Sequence, residues 1–210
     1  MQQRPNIVFY FSDQQRWDTL GCYGQRLDVT PNLDALAAGG TRYENAFTCQ
    51  PVCGPARACL QTGRYATEIG CEINGFALPF GRVKTLAQCF NEAGYATGYV
   101  GKWHLATDRL AGIDYEQSAI PAERRGGYKD YWMAADVLEF TSHGYNGYVY
   151  NADNERVPFV GYRADCINNF AIDFLHGRKE QVEPFFLFIS QIEPHHQNDR
   201  RRYEGPDGSR

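Results

Sequence analysis

A cysteine followed closely by a proline and an arginine is the strongest chemical feature of this 210-residue chain. The segment reads Cys53-Gly54-Pro55-Ala56-Arg57, and the proline predicts that a helix begins at Pro55. The first amide groups of a helix lack partners within it, and they carry partial positive charge. Cys53 would therefore lie where an oxyanion is stabilised, with Arg57 able to reach back to the same point. This combination predicts a nucleophile beside an anion-binding site.

Three short apolar runs, at residues 7–12, 95–100 and 185–192, predict buried strands of a parallel sheet. Each run is followed by polar side chains that can bind a metal or transfer a proton: Asp13 and Gln14, Lys102 and His104, and His195 and His196. Open α/β sheets bind their ligands at the carboxyl ends of the strands. We therefore expect these side chains to meet at one edge of the sheet.

Helices are predicted between the strands, each ending at or near glycine: residues 31–39, 55–63, 86–93 and 166–177. This alternation favours an α/β fold. Residues 106–160 are rich in Gly, Tyr, Asp and Asn and show weak periodicity. We interpret them as a loop-rich excursion near the active edge of the sheet, with one hairpin at about residues 148–158.

Residues 53–64 resemble the signature C-x-P-x-R-x-x-L-x-T-G-R of the type I, formylglycine-dependent sulfatases. Three further segments are similar to that family in the same order: residues 4–14, Gly101-Lys102-Trp103-His104-Leu105, and Pro194-His195. The resemblance implies an alkaline phosphatase-like α/β fold, with a mostly parallel sheet flanked by helices. It implies that residues 1–210 are the N-terminal part of a sulfatase catalytic domain, with an incomplete sheet.

The resemblance also implies a chemistry. In that family a maturase oxidises the cysteine, here Cys53, to formylglycine; one hydroxyl of the hydrated aldehyde attacks the sulfur of a sulfate ester, and the second later expels sulfate. By the same resemblance, Lys102 contacts the sulfate, His104 contacts the formylglycine, and His195 assists the leaving group. Arg57 supplies fixed positive charge at the same site. His195 is favoured over its neighbour His196 for this role.

A divalent cation is the other cofactor that the resemblance implies. Its ligands would be Asp13, Gln14 and the residue formed from Cys53. Carboxylate and amide oxygens suit a hard cation such as Ca²⁺, with Mg²⁺ or Mn²⁺ as alternatives. The family's second metal segment, an Asp followed by Asn or His, is not found after residue 196. We therefore expect a C-terminal sulfatase segment or a second chain to complete the site.

The implied function is hydrolysis of a sulfuric ester, either a sulfated carbohydrate or an aryl or alkyl sulfate. The aromatic residues of segment 106–160 favour a sugar or aryl group. Two alternatives stay open. One is a phosphonate monoester or phosphodiester hydrolase of the same superfamily, some members of which use the same modified cysteine. The other is an inactive fragment that acts only as a binding module.

The composition of the chain and the pattern of its first residues limit which partners and which cell compartment are expected. Hydrophobic residues make up 43% of the chain and charged residues 22%, with a net charge of −4 and no long basic run. This disfavours nucleic acid as a partner, and no segment reaches the ~18 apolar residues that span a membrane. The first residues lack a secretory pattern, so the chain as given is expected in the cytoplasm, or in the periplasm or outside the cell if a signal was removed. Seven cysteines without a CxxC pair indicate neither a zinc site nor a disulfide framework.

Overall fold

In a computed structural model, which describes residues 4–209, the chain forms one six-stranded sheet in the order β1-β6-β2-β3-β4-β5. The strands are β1 Ile7–Phe11, β2 Ala96–Lys102, β3 Tyr131–Ala135, β4 Tyr145–Tyr150, β5 Arg156–Tyr162 and β6 Phe185–Ser190. The first four in spatial order, β1, β6, β2 and β3, run parallel, whereas β4 and β5 add an antiparallel edge. This confirms the predicted α/β class.

Along the chain, the helices lie between these strands. The α-helices of the described residues are α1 Pro31–Gly39, α2 Cys53–Thr62, α3 Ala66–Ile69, α4 Leu86–Glu92, α5 Leu138–Thr141 and α6 Arg163–Gly177. Short 3-10 turns occupy Trp17–Thr19, Gly21–Tyr23 and Ala122–Arg124. Within residues 4–209 no helix is both long enough and apolar enough to cross a bilayer.

Strand β6 shows why the core needs helices on both faces of the sheet. Phe186 and Phe188 pack in the core that contains residues of α2 and α4. Phe185, Leu187 and Ile189 point the other way, into the core built on α6. A strand that is covered on both faces reads as an unbroken apolar run, which is why the sequence predicted it as buried.

The stretch 106–160 differs from its prediction. It contains the predicted hairpin, formed by β4 and β5, but also β3, which the sequence analysis missed. Strand β3 pairs in parallel with β2, where Lys102 lies opposite Ala135. Five residues are too few to establish a periodicity, so a short inner strand of this kind cannot be separated from loop by pattern alone.

Gly101 allows β2 and β6 to approach closely just before Lys102. Its φ is +103°, and a Cβ at this position would lie 2.0 Å from the carbonyl oxygen of Ser190. Only glycine combines this conformation with this contact. The glycine of the segment Gly101-Lys102 thus sets the position from which the Lys102 side chain departs.

The last described residues fold back onto β4 through Glu204. Its carboxylate accepts a hydrogen bond from the Gly144 N–H at 2.6 Å and pairs with Arg200 and Arg202 at 2.8 and 2.9 Å. Burial alone would raise the pKa of Glu204, but the Gly144 amide and the two guanidinium groups lower it from the usual 4.5 to about 2. The arginines of this segment therefore hold a carboxylate and are not an isolated basic cluster.

Glu204→Gln is expected to change the acid stability of the protein. A carboxyl whose pKa is lowered by folding stabilises the fold above its unfolded pKa, and this contribution disappears as the pH falls from 4.5 to about 2. The variant should thus lose stability at neutral pH and lose less on acidification across this window. Urea denaturation at several pH values measures both effects, with the exposed Glu180→Gln as control. An acid dependence equal to that of the unsubstituted protein would contradict the prediction.

Candidate active site

The polar segments meet where three neighbouring parallel strands end. Asp13 lies two residues beyond β1, Lys102 is the last residue of β2, and Ser190 is the last residue of β6. Because the spatial order is β1-β6-β2, these three ends are adjacent. His195 follows β6 after a short loop, and Cys53 begins α2 above the same edge. The structure thus brings together Asp13, Cys53, Lys102 and His195, which the sequence analysis had selected.

A buried network of four charges forms the floor of the site. Asp13 Oδ2 accepts hydrogen bonds from Arg57 Nη2 at 3.0 Å and from Lys102 Nζ at 3.1 Å. Lys102 Nζ also donates to Glu139 Oε1 at 2.9 Å. The Lys102 side chain is fully buried, and the other three are nearly so. Two carboxylates and two cations balance, so the network can be dry without net charge.

The network sets the protonation of its members. Burial would raise the pKa of Asp13, but the adjacent Lys102 and Arg57 cations outweigh it and hold that pKa well below its usual range. Burial would lower the pKa of Lys102, but Glu139 and Asp13 outweigh it and raise that pKa. Burial and then the charges of Lys102 and Arg57 lower the pKa of His104 well below its ordinary value. At neutral pH His104 is therefore an uncharged imidazole near the Lys102 and Arg57 cations.

Arg57 connects the three strand ends. One of its terminal nitrogens, Nη1, donates to the Lys102 carbonyl at 2.8 Å and to the Ser190 hydroxyl, while Nη2 reaches Asp13. The Ser190 hydroxyl in turn donates to the Lys102 carbonyl at 2.7 Å. The guanidinium group of α2 is thus fixed by strands β1, β2 and β6 together.

Helix α2 begins two residues earlier than predicted, so Cys53 is its first residue. The helix begins at Cys53 rather than at Pro55, with Val52 as its N-cap, because a proline fits the first turn. The expected free amides are also mostly engaged. The Gly54 N–H donates to Asn74 Oδ1 at 2.8 Å and the Ala56 N–H to the Val52 carbonyl at 2.8 Å. The fixed positive charge near this helix start is therefore that of Arg57 and Lys102, which both bond Asp13, and not that of a nest of free amides.

His195 faces Cys53 across the site. Its Nε2 lies 3.9 Å from the Cys53 sulfur. Its Nδ1 contacts the carbonyl oxygen of His196, and because a carbonyl can only accept, Nδ1 carries a proton. In the neutral ring the Nε2 lone pair then points toward residue 53, and only the imidazolium form can donate a proton from Nε2.

Gln14 and His104 share an unusual backbone conformation. Both have φ of +59°, the left-handed region, which costs a non-glycine residue about 1–3 kcal/mol when it is held there. Gln14 Oε1 accepts the His196 N–H at 3.2 Å. His104 Nδ1 is buried and has no hydrogen-bond partner within residues 4–209. Two strained residues at one sheet edge indicate that the surrounding structure enforces their positions.

The donor set fits a divalent cation in part. One ligand atom each from Asp13, Cys53 and His195 lies within 4.8 Å of the others. The Asp13 carboxylate is ionised, and an oxygen at position 53 would be harder than the thiol. Gln14 has an amide oxygen on the same rim, although it accepts a hydrogen bond from His196. Ca²⁺ takes six to eight oxygens, so water or further protein oxygens would have to join these residues.

A cavity of about 890 Å³ opens above this edge. Asp13, Gln14, Cys53 and His195 line its polar side. The apolar side consists of hydrophobic and aromatic side chains that are otherwise exposed: Phe47, Val52, Leu60 and Tyr65. The volume and the mixed lining are typical of a site for a small organic ligand.

Three residues of the site were missed by sequence reasoning. Ser190 ends β6, and the rule that strand ends carry site residues could have found it. Asn74 bonds Gly54, and Glu139 bonds Lys102, over separations of 20 and 37 residues. Neither has a motif in the sequence. Glu139 in particular lies on the four-residue α5, within the stretch interpreted as loop.

Asp136 shapes the loop that carries His104. Its carboxylate accepts three backbone N–H groups, from Leu105, Ala106 and Thr107, each at 2.9 Å. Asp136→Ala should leave these buried donors without partners and cost about 1–3 kcal/mol of unfolding free energy. Urea denaturation measures the loss. Asp130→Ala is the control, because the exposed Asp130 accepts a single backbone N–H, from Thr97; equal losses in the two variants would contradict the prediction.

Known proteins resemble this chain in sequence and in fold. The sulfatase family profile matches residues 5–209. The sulfatase YidJ of Escherichia coli (strain K12), described as uncharacterized, is 38% identical over 204 residues, covering 92% of this chain and 39% of that protein. The crystal structure of YidJ from Bacteroides fragilis superposes with a TM-score of 0.78 at 30% identity, covering 93% of this chain and 45% of that one.

A further solved structure contains a ligand. A protein in complex with its substrate, D-glucosamine-2-N,6-O-disulfate, superposes with a TM-score of 0.74 at 29% identity, covering 91% of this chain and 35% of that one. The present chain therefore spans less than half the length of these similar proteins. The family profile nevertheless covers residues 5–209, which include all the residues of the site described above. The chain belongs to the sulfatase family.

Proposed function

We propose that this chain supplies the catalytic centre of a sulfuric ester hydrolase whose nucleophile is a formylglycine made from Cys53. The observation that carries the proposal is a cluster of side chains from separate segments of the chain. Ligand atoms of Asp13 and His195 lie within 4.8 Å of the Cys53 sulfur, and Arg57 and Lys102 both bond Asp13. Hydrolysis of a sulfate ester needs fixed positive charge near the sulfate oxygens and an acid for the leaving alcohol. These residue types meet both needs.

Each side chain has a role in the proposed reaction. A formylglycine at position 53, when present, supplies the attacking oxygen. Arg57 and Lys102 stabilise the negative charge of the sulfate group, held in place by Asp13 and the strand ends. The neutral His104 hydrogen-bonds at position 53. His195 in its imidazolium form donates a proton from Nε2 to the alcohol oxygen as the bond from sulfur to that oxygen breaks.

A divalent cation belongs to the proposal. Ca²⁺, with Mg²⁺ or Mn²⁺ as alternatives, would be held by Asp13, Gln14 and an oxygen of residue 53. Bound there, it would polarise the oxygens of the ester. The ionised and largely buried setting of Asp13 supports this assignment.

The proposed substrate class is a sulfated carbohydrate, with an aryl or alkyl sulfate as the alternative. Two observations support the carbohydrate: a similar structure binds D-glucosamine-2-N,6-O-disulfate as its substrate, and the cavity above Cys53 has an aromatic wall beside its polar side. Flat apolar walls with a few polar groups suit sugar rings.

Two partners accompany this proposal. A maturase must convert Cys53, and the proteins of the family that are matched here are more than twice as long. We therefore propose that the site works together with a further sulfatase segment, in the same protein or in a second chain, which adds metal ligands.

Mass spectrometry of the peptide that contains Cys53 tests the proposal first. Conversion of the thiol to an aldehyde lowers the peptide mass by about 18 Da. The converted protein is then assayed side by side with an aryl sulfate, a sulfated sugar and a phosphodiester. Sulfate release supports the proposal, and a large preference for the phosphodiester would replace it with the alternative hydrolase. A binding module would show an unmodified Cys53 and no turnover of any ester.

A further inference from the structure

Arg163 begins α6 and lies beneath the segment that carries His195. Its side chain is 2% exposed. Its Nε donates to Glu193 Oε1 at 2.8 Å, and its Nη1 donates to Gln197 Oε1 at 3.1 Å. Glu193 precedes His195 by two residues and Gln197 follows it by two. One guanidinium group therefore bonds both flanks of the His195 segment.

The same group is itself firmly anchored. The Arg163 backbone N–H donates to the Gly144 carbonyl at 2.8 Å, and Nη1 also contacts Ser142 Oγ at 3.3 Å. Gln197 is 1% exposed, and its Nε2 donates to the Glu139 carbonyl at 2.8 Å. The His195 segment is thus connected, through Arg163 and Gln197, to the helix that carries the partner of Lys102.

The position of the His195 ring depends on this segment. The two hydrogen bonds that His195 makes away from Cys53 go to residues near it in the sequence. Its backbone N–H donates to the Ile192 carbonyl at 2.8 Å, and its Nδ1 donates to the His196 carbonyl. Neither contact reaches another element of the fold. The separation of 3.9 Å between Nε2 and the Cys53 sulfur is therefore set by where the backbone of residues 193–197 lies.

We propose that Arg163 is a positioning residue for His195. It holds the His195 imidazole at the distance and angle needed for proton transfer to the leaving group. The proposal rests on the proposed function, in which His195 is the acid. Arginine suits the role because its planar fork bonds two separate acceptors at fixed angles, whereas lysine offers a single point charge. A misplacement of about 1 Å in an active site can lower the rate about 100-fold.

A structural anchor for α6 would make a different prediction. Replacing such an anchor would lower the stability of the protein and reduce kcat equally for every substrate. Replacing a residue that acts through His195 would instead slow the hydrolysis of each ester in proportion to its need for an acid. Alkyl sulfates have poor leaving groups and need the proton, whereas an activated aryl sulfate leaves without it.

The test compares Arg163→Lys with the unsubstituted protein, with Cys53 converted and the further sulfatase segment present in both. We expect kcat for an alkyl or sugar sulfate to fall roughly 10- to 100-fold, and kcat for 4-nitrophenyl sulfate to fall only a few-fold at most. In a background of His195→Ala, the same substitution should have no further effect on either substrate. Additive losses, or equal losses for both substrates, would overturn the proposal.

Arg125→Lys is the matched control. Arg125 is also a buried arginine, 4% exposed, and it donates to the Ile120 carbonyl and to Asn154. Its replacement should lower the melting temperature, as is also expected of Arg163→Lys, but it should change kcat equally for both substrates. This separates loss of a buried arginine from loss of the His195 position.

A readout without turnover keeps the two proposals distinguishable. In the unconverted protein, the His195 ring proton resonance, assigned with His195→Gln, should be single and sharp. Arg163→Lys should shift or broaden it, and Arg125→Lys should not. If no sulfate ester is turned over even with Cys53 converted and the further sulfatase segment present, yet this change is seen, the proposed function is wrong and Arg163 remains the residue that positions the ring. An unchanged resonance in Arg163→Lys would overturn the positioning role even if the enzyme is active.

Discussion

Turnover of sulfate esters is expected to disappear when Cys53 is replaced by alanine. Alanine cannot be converted to formylglycine, so the attacking oxygen is lost. Removal of a hydrolase nucleophile typically costs on the order of 10⁶-fold in kcat. The folded structure should be unaffected, because Cys53 is only partly buried and its helix start is held by Val52 and by Asn74. Steady-state kinetics and thermal unfolding of the purified variant measure both expectations.

Cys59→Ala provides the control for Cys53→Ala. Cys59 lies on the same helix, is also partly buried, and lines the same cavity. Its replacement should leave turnover within a few-fold of the unsubstituted protein. If both variants lose activity, the loss reflects damage to the cavity; if Cys53→Ala retains activity, Cys53 is not the source of the nucleophile.

Cys53→Ser separates two kinds of nucleophile. A serine that the maturase does not convert can attack the ester once, but its sulfate adduct has no second hydroxyl to expel sulfate. We therefore expect at most one turnover and a protein whose mass increases by a sulfo group. Sustained turnover by an unconverted serine would show that a gem-diol is not required, and would contradict the role assigned to formylglycine.

Much of the site could be predicted because parallel strands align their ends. With residues 7–12, 95–100 and 185–192 as parallel strands, Asp13, Lys102 and His195 were expected close together on condition that the three strands are neighbours, as they are in the structure. The prediction did not require the order of the strands. Any parallel arrangement in which these strands are neighbours would bring the same three side chains to one edge.

The parts that escaped prediction depend on pairings far apart in the sequence. Glu139 and Lys102 are separated by 37 residues, and Arg163 and Glu193 by 30. No periodicity links such residues, since their meeting depends on the path of β3 and α6 through the fold. The hydrogen bond from the Gly54 N–H to Asn74 was not predicted for the same reason, because Asn74 lies on another segment of the chain.

Lys102→Met is expected to cause the largest loss of stability among the substitutions in the site. It leaves Glu139 without its ion-pair partner among residues 4–209 and removes one of the two cations that hold Asp13. Breaking a buried pair in this way typically costs about 3–5 kcal/mol of unfolding free energy, because the remaining charge is buried and uncompensated. Activity should also fall to background, since the sulfate loses a fixed positive group.

A double variant separates these two effects. Replacing both partners by apolar residues of similar size, as in Lys102→Met with Glu139→Leu, removes the uncompensated charge, and such exchanges are often neutral for stability. Arg57 still pairs with Asp13 in this variant. Urea denaturation should therefore show most of the lost stability restored, while kinetics show that activity is not. If the double variant is no more stable than Lys102→Met, the pair is not the source of the loss; if activity returns with stability, Lys102 acts on the fold and not on the ester.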